Sequence, residues 1–193
     1  MRLTFLFICL ATLQGFSQTC NYLAYEPFDY QTNTPLHGAQ GGTGWNGPWE
    51  VQNGNTNVPG FQTSAATPLS YSDLTTQGNY ASGGNAYLTA GRPLNTQPGG
   101  PFNNWLNADN EIGKSGTTIW MSALLRKSTD NNDPVVVYFH HSNITWCAGC
   151  TTQKIGLGYF GTESNVNGQK RWSLFVNGVI YPSELAVVPN QTV

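Results

Sequence analysis

The clearest pattern of apolar and polar positions along the chain runs from Gly116 to Lys127. Its residues alternate without a break, so that Ile119 and Met121 would share one face of a strand and Trp120 and Ser122 the other. One face is wholly apolar and the other is mixed, which suits an interior strand with one side on a core. The pattern predicts a central β-strand over Gly116–Lys127.

Turn signals divide the second half of the chain into short strands. The predicted strands are Val135–His140, Lys154–Gly161, Arg171–Val176 and Val179–Tyr181. The pairs Asn167-Gly168 and Asn177-Gly178 separate the last three, and Asn-Gly favours a tight hairpin because both central residues of a type I′ turn need positive φ. The pattern predicts an antiparallel meander in an all-β protein.

Within Lys154–Gly161, glycine alternates with large apolar residues. Ile155 and Tyr159 would share one face, and Gly156 and Gly158 the other. Glycines on one face of a strand leave room for a ligand or for a large neighbouring side chain, for which Trp172 is a candidate.

Composition bears on the choice of partner. Charged residues make up 9% of the 193 residues and aromatic residues 12%, with a formal net charge of −2. Soluble proteins average ~25% charged residues, so this surface is neutral and polar. The few Lys and Arg residues are scattered, which excludes the basic patch that nucleic-acid binding requires. The composition is typical of proteins that bind neutral, hydroxyl-bearing ligands, and also of many secreted β-proteins.

The first 17 residues have the pattern of a secretory signal. Arg2 is followed by the apolar run Leu3–Leu13 and by the small residues Gly15 and Ser17. The apolar run is too short to span a membrane. We expect residues 1–17 to be a signal peptide, residues 18–193 to form one domain, and the protein to be secreted or at the cell surface without membrane insertion.

Four stretches carry a resemblance to a known family: Glu26-Pro-Phe-Asp-Tyr30, Gly41-Gly-Thr-Gly-Trp45, Trp49 and Gly116-Thr-Thr-Ile-Trp-Met-Ser-Ala-Leu-Leu125. They resemble the start and middle of secreted LamG-like, concanavalin A-like jelly-roll modules. The resemblance implies a two-sheet antiparallel β-sandwich, with glycan binding or glycan hydrolysis as the activity. It also implies a further strand pair after the apolar stretch Leu185–Val193. We therefore expect a domain that is incomplete at its C-terminus and is followed by more sequence.

Carboxylates are the first candidates for chemistry, because hydrolysis of a glycosidic bond needs two of them across the bond. The Glu-x-Asp-x-x-Glu strand pattern of jelly-roll glucanases is absent. The nearest groupings are Asp109 with Glu111, in the long connection 92–115, and Glu26 with Asp29. Structural or solvated acids are the favoured interpretation, with calcium binding as an alternative. No other cofactor is expected.

The sequence Trp146-Cys147-Ala-Gly-Cys150 is the sharpest local motif. A zinc site would need a second cysteine pair, and a redox site would need a βαβ context. In an exported chain the motif favours a structural disulfide between Cys147 and Cys150. Cys20 is then either a free thiol or the partner of one of that pair.

We expect a non-catalytic module that binds a neutral polysaccharide or cell-surface glycan, or mediates adhesion. Sugar rings stack on indoles, while polar groups hydrogen-bond their hydroxyls. The candidate ligand-binding residues are Trp105, Trp120, Trp172, Asp109 and Glu111, whereas Trp45 and Trp49 belong to the family's structural signature. The alternatives are a glycan-active hydrolase or lyase of jelly-roll fold, and a structural spacer module.

Overall fold

The computed structural model describes residues 22–53, 60–64, 69–72, 76, 78–83, 88–140 and 153–193. In these ranges the strands are antiparallel, and the only helical segments are two short 3₁₀ turns, Asn103–Trp105 and Gly161–Ser164. The predicted all-β class is confirmed.

Nine strands lie in the described ranges: β1 Glu50–Asn53, β2 Gln62–Ser64, β3 Tyr80–Ser82, β4 Leu88–Gly91, β5 Val135–His140, β6 Gln153–Tyr159, β7 Asn165–Val166, β8 Gln169–Val176 and β9 Val179–Ala186. Strand β1 pairs with β4, and β2 pairs with β3. The other five form one sheet, in which β5 pairs with β6, and β8 pairs with β6, β7 and β9. The small sheets and the meander are separate hydrogen-bonded units.

The meander forms where the turn signals predict it. Asn167 and Gly168 have φ of 51° and 78°, and Asn177 and Gly178 have φ of 47° and 88°. These positive angles let two-residue turns join β7 to β8 and β8 to β9, because they match the twist of the flanking strands. The predicted Asn177-Gly178 hairpin is confirmed. Asn167-Gly168 also forms a hairpin turn, but its first strand is β7, which the sequence pattern does not predict.

The meander has two chemically different faces. Its apolar face carries residues aligned by the strand register: Val135, Val137, Phe139, Ile155, Leu157, Tyr159, Trp172, Leu174, Val176, Val179 and Tyr181. Its aromatic face carries Tyr138, His140, Phe175 and the glycines of β6, and Phe160 follows at the end of that strand. Alternation along each strand places neighbours on opposite faces, so one face can pack on a core while the other meets solvent.

The apolar face is covered at one end. There Tyr159 is 0% exposed and Trp172 is 6% exposed. The buried Lys127 ammonium lies 5.3 Å from the centroid of the Tyr159 ring, and it donates hydrogen bonds to Asn131 Oδ1 at 2.5 Å and to the Asp133 carbonyl at 2.8 Å. Burial lowers the Lys127 pKa from its usual value. The covered end of the apolar face therefore lies against the Lys127 side chain.

The predicted central strand over Gly116–Lys127 is wrong. Within the described residues its backbone makes strand-type contacts only near its end, where Leu125 exchanges two hydrogen bonds of 2.9 Å with Val193, and Arg126 bridges Thr192. Alternation specifies which side chains would share a face, but a strand also needs a neighbour for its N–H and C=O groups. In the described part of the chain, residues 118–124 have no such neighbour.

Candidate ligand-binding site

A cluster of aromatic rings lies on the aromatic face of the meander. The Tyr138 ring centroid is 5.6 Å from that of Phe160, 5.6 Å from that of Phe175 and 5.9 Å from that of His140. Phe160 and Phe175 are themselves stacked at 5.8 Å. We call these four residues the aromatic cluster. Tyr138, Phe160 and Phe175 are half-buried and His140 is exposed, so the aromatic cluster is accessible to solvent.

Gly156 makes the position of Tyr138 possible. The two residues lie opposite each other in the β5–β6 register. A Cβ atom on Gly156 would lie 2.5 Å from the Tyr138 ring, closer than real contacts allow. The glycine therefore lets the ring lie on the neighbouring strand, as the sequence predicts for a glycine with a large neighbour. That neighbour is Tyr138, and Trp172 lies on the opposite face.

Gly158, two residues on, has a different reason to be glycine. Its φ of +147° favours glycine, and a Cβ atom there would lie 2.2 Å from the Val135 carbonyl oxygen. Close approach of β5 and β6 thus excludes side chains from this row of the aromatic face. The space beside Tyr138 stays free of side chains from β6.

The ionisable groups of the aromatic cluster are neutral near pH 7. Burial raises the Tyr138 pKa, and the nearby Glu163 carboxylate raises it further. Burial lowers the His140 pKa from its usual 6.5. Among the described residues, the Tyr138 hydroxyl has no hydrogen-bond partner. The cluster thus offers ring faces, a neutral phenol and a neutral imidazole, which can stack on an apolar ring face and hydrogen-bond a hydroxyl group.

The three tryptophans predicted to bind ligand lie in different environments. Trp120 is 91% exposed. Trp105 is half-buried at the end of a 3₁₀ turn, and its carbonyl accepts hydrogen bonds from the Gly113 and Lys114 N–H groups. Trp172 is buried on the apolar face, where its Nε1 has no hydrogen-bond partner among the described residues. Trp172 therefore lies on the face opposite Phe175, with its indole covered.

Asp109 and Glu111 belong to a tight turn built around Asn107. The Asn107 Oδ1 atom accepts hydrogen bonds of 2.9 Å from the N–H groups of both residues. The Asn107 N–H in turn donates to the Glu111 carbonyl at 2.8 Å. This turn gives the long connection a local structure. In the described ranges, no three His, Cys, Asp or Glu side chains come close enough to hold a metal ion.

Glu26, the other acid singled out by sequence, has a structural role. Its carboxylate accepts hydrogen bonds from the Phe28 N–H at 2.8 Å, the Trp49 Nε1 at 2.8 Å and the Tyr30 hydroxyl at 2.9 Å. It also pairs with Arg92 at 2.7 Å. With its oxygens occupied in this way, Glu26 holds the 22–53 region together. Asp29, its predicted companion, is exposed.

Sequence analysis missed the aromatic cluster itself. Tyr138 and His140 are two apart on one strand, so they had to share a face. The sequence predicts that Gly156 leaves room for a large neighbouring side chain. The identity of that neighbour depends on the register of β5 with β6. Those two strands are joined through residues 141–152, which show no short turn signal. No motif in the sequence fixes that register.

Several predicted features fall outside the described residues. They are the signal segment 1–17, Cys20, Cys147 and Cys150. The disulfide between Cys147 and Cys150 stays a prediction. In the described part of the chain, no helix is long and apolar enough to cross a membrane.

Comparison with known proteins gives no relative. No family model, curated protein or solved structure matches the chain. The resemblance to concanavalin A-like modules therefore rests on the sequence motifs alone.

Proposed function

We propose that this protein is a secreted, non-catalytic module that binds a neutral glycan through the aromatic cluster and so serves in glycan recognition or adhesion. The observation that carries the proposal is the arrangement of Tyr138 against Phe160 and Phe175, half-buried on a strand face whose glycines leave room for the Tyr138 ring. A sugar ring presents apolar C–H groups on its faces and hydroxyl groups around its edge. Aromatic faces beside a phenol complement both.

The charge distribution supports a neutral ligand. Charged residues are 9% of the chain, and the buried ion pair Glu26–Arg92 lies among the hydrogen bonds of the 22–53 region. In the aromatic cluster, the Tyr138 phenol and the His140 imidazole are uncharged near pH 7 because burial raises the Tyr138 pKa and lowers the His140 pKa. A charged ligand would find little there to offset its loss of hydration. A neutral ligand rich in hydroxyl groups loses less hydration free energy on binding.

For the fold, we favour a concanavalin A-like sandwich whose inner surface includes the covered end of the apolar face, at Tyr159 and Trp172. The other end of this face, at Leu174 and Tyr181, is exposed. Its rows of Val, Leu, Phe and Trp suit a core, whereas glycines and polar rings line the other face. The aromatic cluster then lies on the outer surface of the sandwich. Export through a signal peptide and a Cys147–Cys150 disulfide belong to the same proposal.

The non-catalytic part of the proposal has its own support. Hydrolysis of a glycosidic bond by the common route needs two carboxyl groups ~5 to 9.5 Å apart on either side of the bond. The Glu-x-Asp-x-x-Glu strand pattern that supplies them in jelly-roll glucanases is absent from the sequence. A binding site without chemistry fits this sequence better than a glucanase site.

A glycan array together with reducing-sugar release from a panel of neutral polysaccharides tests the function. Selective binding without release is expected. Release of reducing ends, or of unsaturated products, would instead identify a hydrolase or a lyase. Absence of binding to any glycan would favour a structural spacer and would overturn the proposal.

A further inference from the structure

The buried amine of Lys127 lies against the side-chain amide of Asn131. Its Nζ atom is 2.5 Å from Asn131 Oδ1. The C=O bond of an amide is about 1.2 Å long, so Nζ lies within about 3.7 Å of the carbonyl carbon Cγ. Rotation of the exposed Asn131 amide about its soft Cβ–Cγ bond turns the face of the carbonyl toward the amine. A nucleophilic nitrogen is therefore held close to an electrophilic carbon.

The Lys127 side chain is fixed by two further contacts. Its Nζ donates a hydrogen bond of 2.8 Å to the Asp133 carbonyl, and it lies 5.3 Å from the centroid of the fully buried Tyr159 ring. Burial lowers the Lys127 pKa, and the Lys170 charge lowers it further, although Asp133 and Asp130 oppose these effects. A lower pKa raises the fraction of neutral amine, which is the form that has a lone pair for attack.

Asp133 contacts both polar atoms of the Asn131 amide. Its backbone N–H donates to Asn131 Oδ1 at 3.3 Å, and its Oδ2 accepts from Asn131 Nδ2 at 2.5 Å. The N–H can stabilise the negative charge that develops on Oδ1 when an amine adds to Cγ. The carboxylate can deliver a proton to Nδ2, which is a leaving group only when it departs as ammonia.

From this arrangement we infer that Lys127 and Asn131 join in an intramolecular isopeptide bond in the folded protein. The Nζ lone pair forms the Nζ–Cγ bond, and the Cγ–Nδ2 bond breaks. A proton from Nζ passes through the Asp133 carboxylate to Nδ2, which leaves as ammonia. Nothing is oxidised or reduced, and no further reactant is needed.

The product fits the same surroundings. The N–H that remains on Nζ can still donate to the Asp133 carbonyl, and the exposed position of Asn131 lets ammonia escape. The aromatic cluster takes no part in the reaction, so this inference is independent of the proposed glycan site.

Tryptic peptide mapping of the exported protein, after reduction and alkylation, tests the bond. Trypsin does not cleave after an acylated lysine, so the linked chain gives one peptide over residues 127–154 that is lighter by one ammonia, about 17 Da. Lys170 is the control in the same digest. Its ammonium contacts the Asp130 carboxylate instead of an amide, so trypsin should cleave after it normally.

We expect the linked peptide in most chains of the wild-type protein. Cleavage after Lys127 with no loss of mass overturns the inference. Cleavage after Lys127 with ammonia missing from the fragment that holds Asn131 also overturns it, because Asn131 has then closed on the backbone as a succinimide. The peptide map is needed in addition to the intact mass, since an N-terminal Gln18 would also lose ammonia, in a different peptide.

Two variants separate the nucleophile from the proton relay. Lys127→Met keeps an unbranched side chain without the amine, and Asp133→Asn keeps the backbone N–H and carbonyl without the carboxylate. We expect no ammonia loss from residues 127–154 in Lys127→Met, and a linked fraction about tenfold or more smaller in Asp133→Asn. Ammonia loss from that peptide in Lys127→Met overturns the inference, and full linkage in Asp133→Asn overturns the role of its carboxylate. If either variant fails to fold, the map of the wild-type protein still decides the question.

Discussion

The Glu26 carboxylate and the Arg92 guanidinium, 66 residues apart in sequence, form an ion pair with an N–O distance of 2.7 Å. The Arg92 and Glu26 side chains are only 5% and 8% exposed. Arg92 also donates to the carbonyls of Gly47 at 2.7 Å and Gly41 at 2.8 Å. The pair therefore joins the start of the domain, the glycine-rich loop and the end of β4.

Removing one partner of this pair should be strongly destabilising. In Glu26→Gln or Arg92→Met the remaining charge stays buried without its counter-charge, so we expect the free energy of unfolding to fall by ~3 to 5 kcal/mol. Denaturant titration measures the change. Asp130→Asn, which breaks the exposed pair with Lys170, is the control and should leave stability unchanged. Similar losses in all three variants would contradict a special role for the buried pair.

Tyr30 should make the protein sensitive to alkali. Burial, with the hydrogen bond to Glu26, raises the Tyr30 pKa from 10.0 to about 12. Between pH 10.0 and about 12 the folded state therefore keeps the Tyr30 proton while the unfolded state loses it. The contribution of Tyr30 to the free energy of unfolding is complete below pH 10.0 and is lost as pH rises through about 12. The free energy of unfolding, measured at several pH values, should fall less steeply at alkaline pH in Tyr30→Phe than in the unmodified protein. Parallel curves for the two proteins would show that Tyr30 titrates normally.

Truncating two tryptophans to alanine should have very different effects on the free energy of unfolding. Trp172 is 6% exposed and Trp120 is 91% exposed. We expect Trp172→Ala to lower the free energy of unfolding by ~3 to 5 kcal/mol because it leaves a cavity. Trp120→Ala should change it by less than ~0.5 kcal/mol, as for other surface sites. Both values come from denaturant titration under conditions in which the chain is monomeric. A large loss in Trp120→Ala would mean that its indole is covered in solution.

The disulfide predicted from sequence can be tested on the exported protein. Non-reducing peptide mapping should find Cys147 and Cys150 in one linked peptide. Because this disulfide closes a very short loop, it should add less to the free energy of unfolding than the ~3 kcal/mol expected when a disulfide closes a 15-residue loop. Recovery of both residues as alkylated thiols would contradict the prediction and return attention to metal binding.

The parts of the fold that sequence predicted well are those fixed locally. Asn167-Gly168 and Asn177-Gly178 encode their turns through their own φ preferences, so the positions of β8 and β9 follow from them. Gly116–Lys127 has the better strand pattern, yet it is not a strand in the described structure. Its pairing depends on a neighbour far along the chain or on another chain, and alternation carries no information about that neighbour.

The same limit applies to the candidate site. Trp120 and Trp105 stand out in the sequence as candidate ligand-binding tryptophans. Trp120 lies on a stretch without backbone hydrogen-bond partners among the described residues, and Trp105 lies in a hydrogen-bonded 3₁₀ turn. Tyr138 lies in an apolar run that gives no hint of exposure. Its role depends on Gly156 facing it across two strands, which only the register of the sheet can show.

The central claim is that the aromatic cluster binds a neutral glycan, and paired tyrosine variants test it most directly. Tyr138 lies in the cluster, whereas Tyr181 lies on the other face of the same sheet and is 55% exposed. Changing each to leucine removes a ring and a hydroxyl group while keeping an apolar side chain. Thermal unfolding confirms that each variant is folded before binding is measured.

The measurement is calorimetric titration of each variant with the best glycan from the array. We expect Tyr138→Leu to weaken binding by roughly 1 to 3 kcal/mol, as for other aromatic anchors, which is about tenfold or more in the dissociation constant, and Tyr181→Leu to bind normally. Trp105→Ala, titrated alongside, should also bind normally. Unchanged affinity in a folded Tyr138→Leu, with loss in Trp105→Ala, would place the site in the long connection and contradict the account.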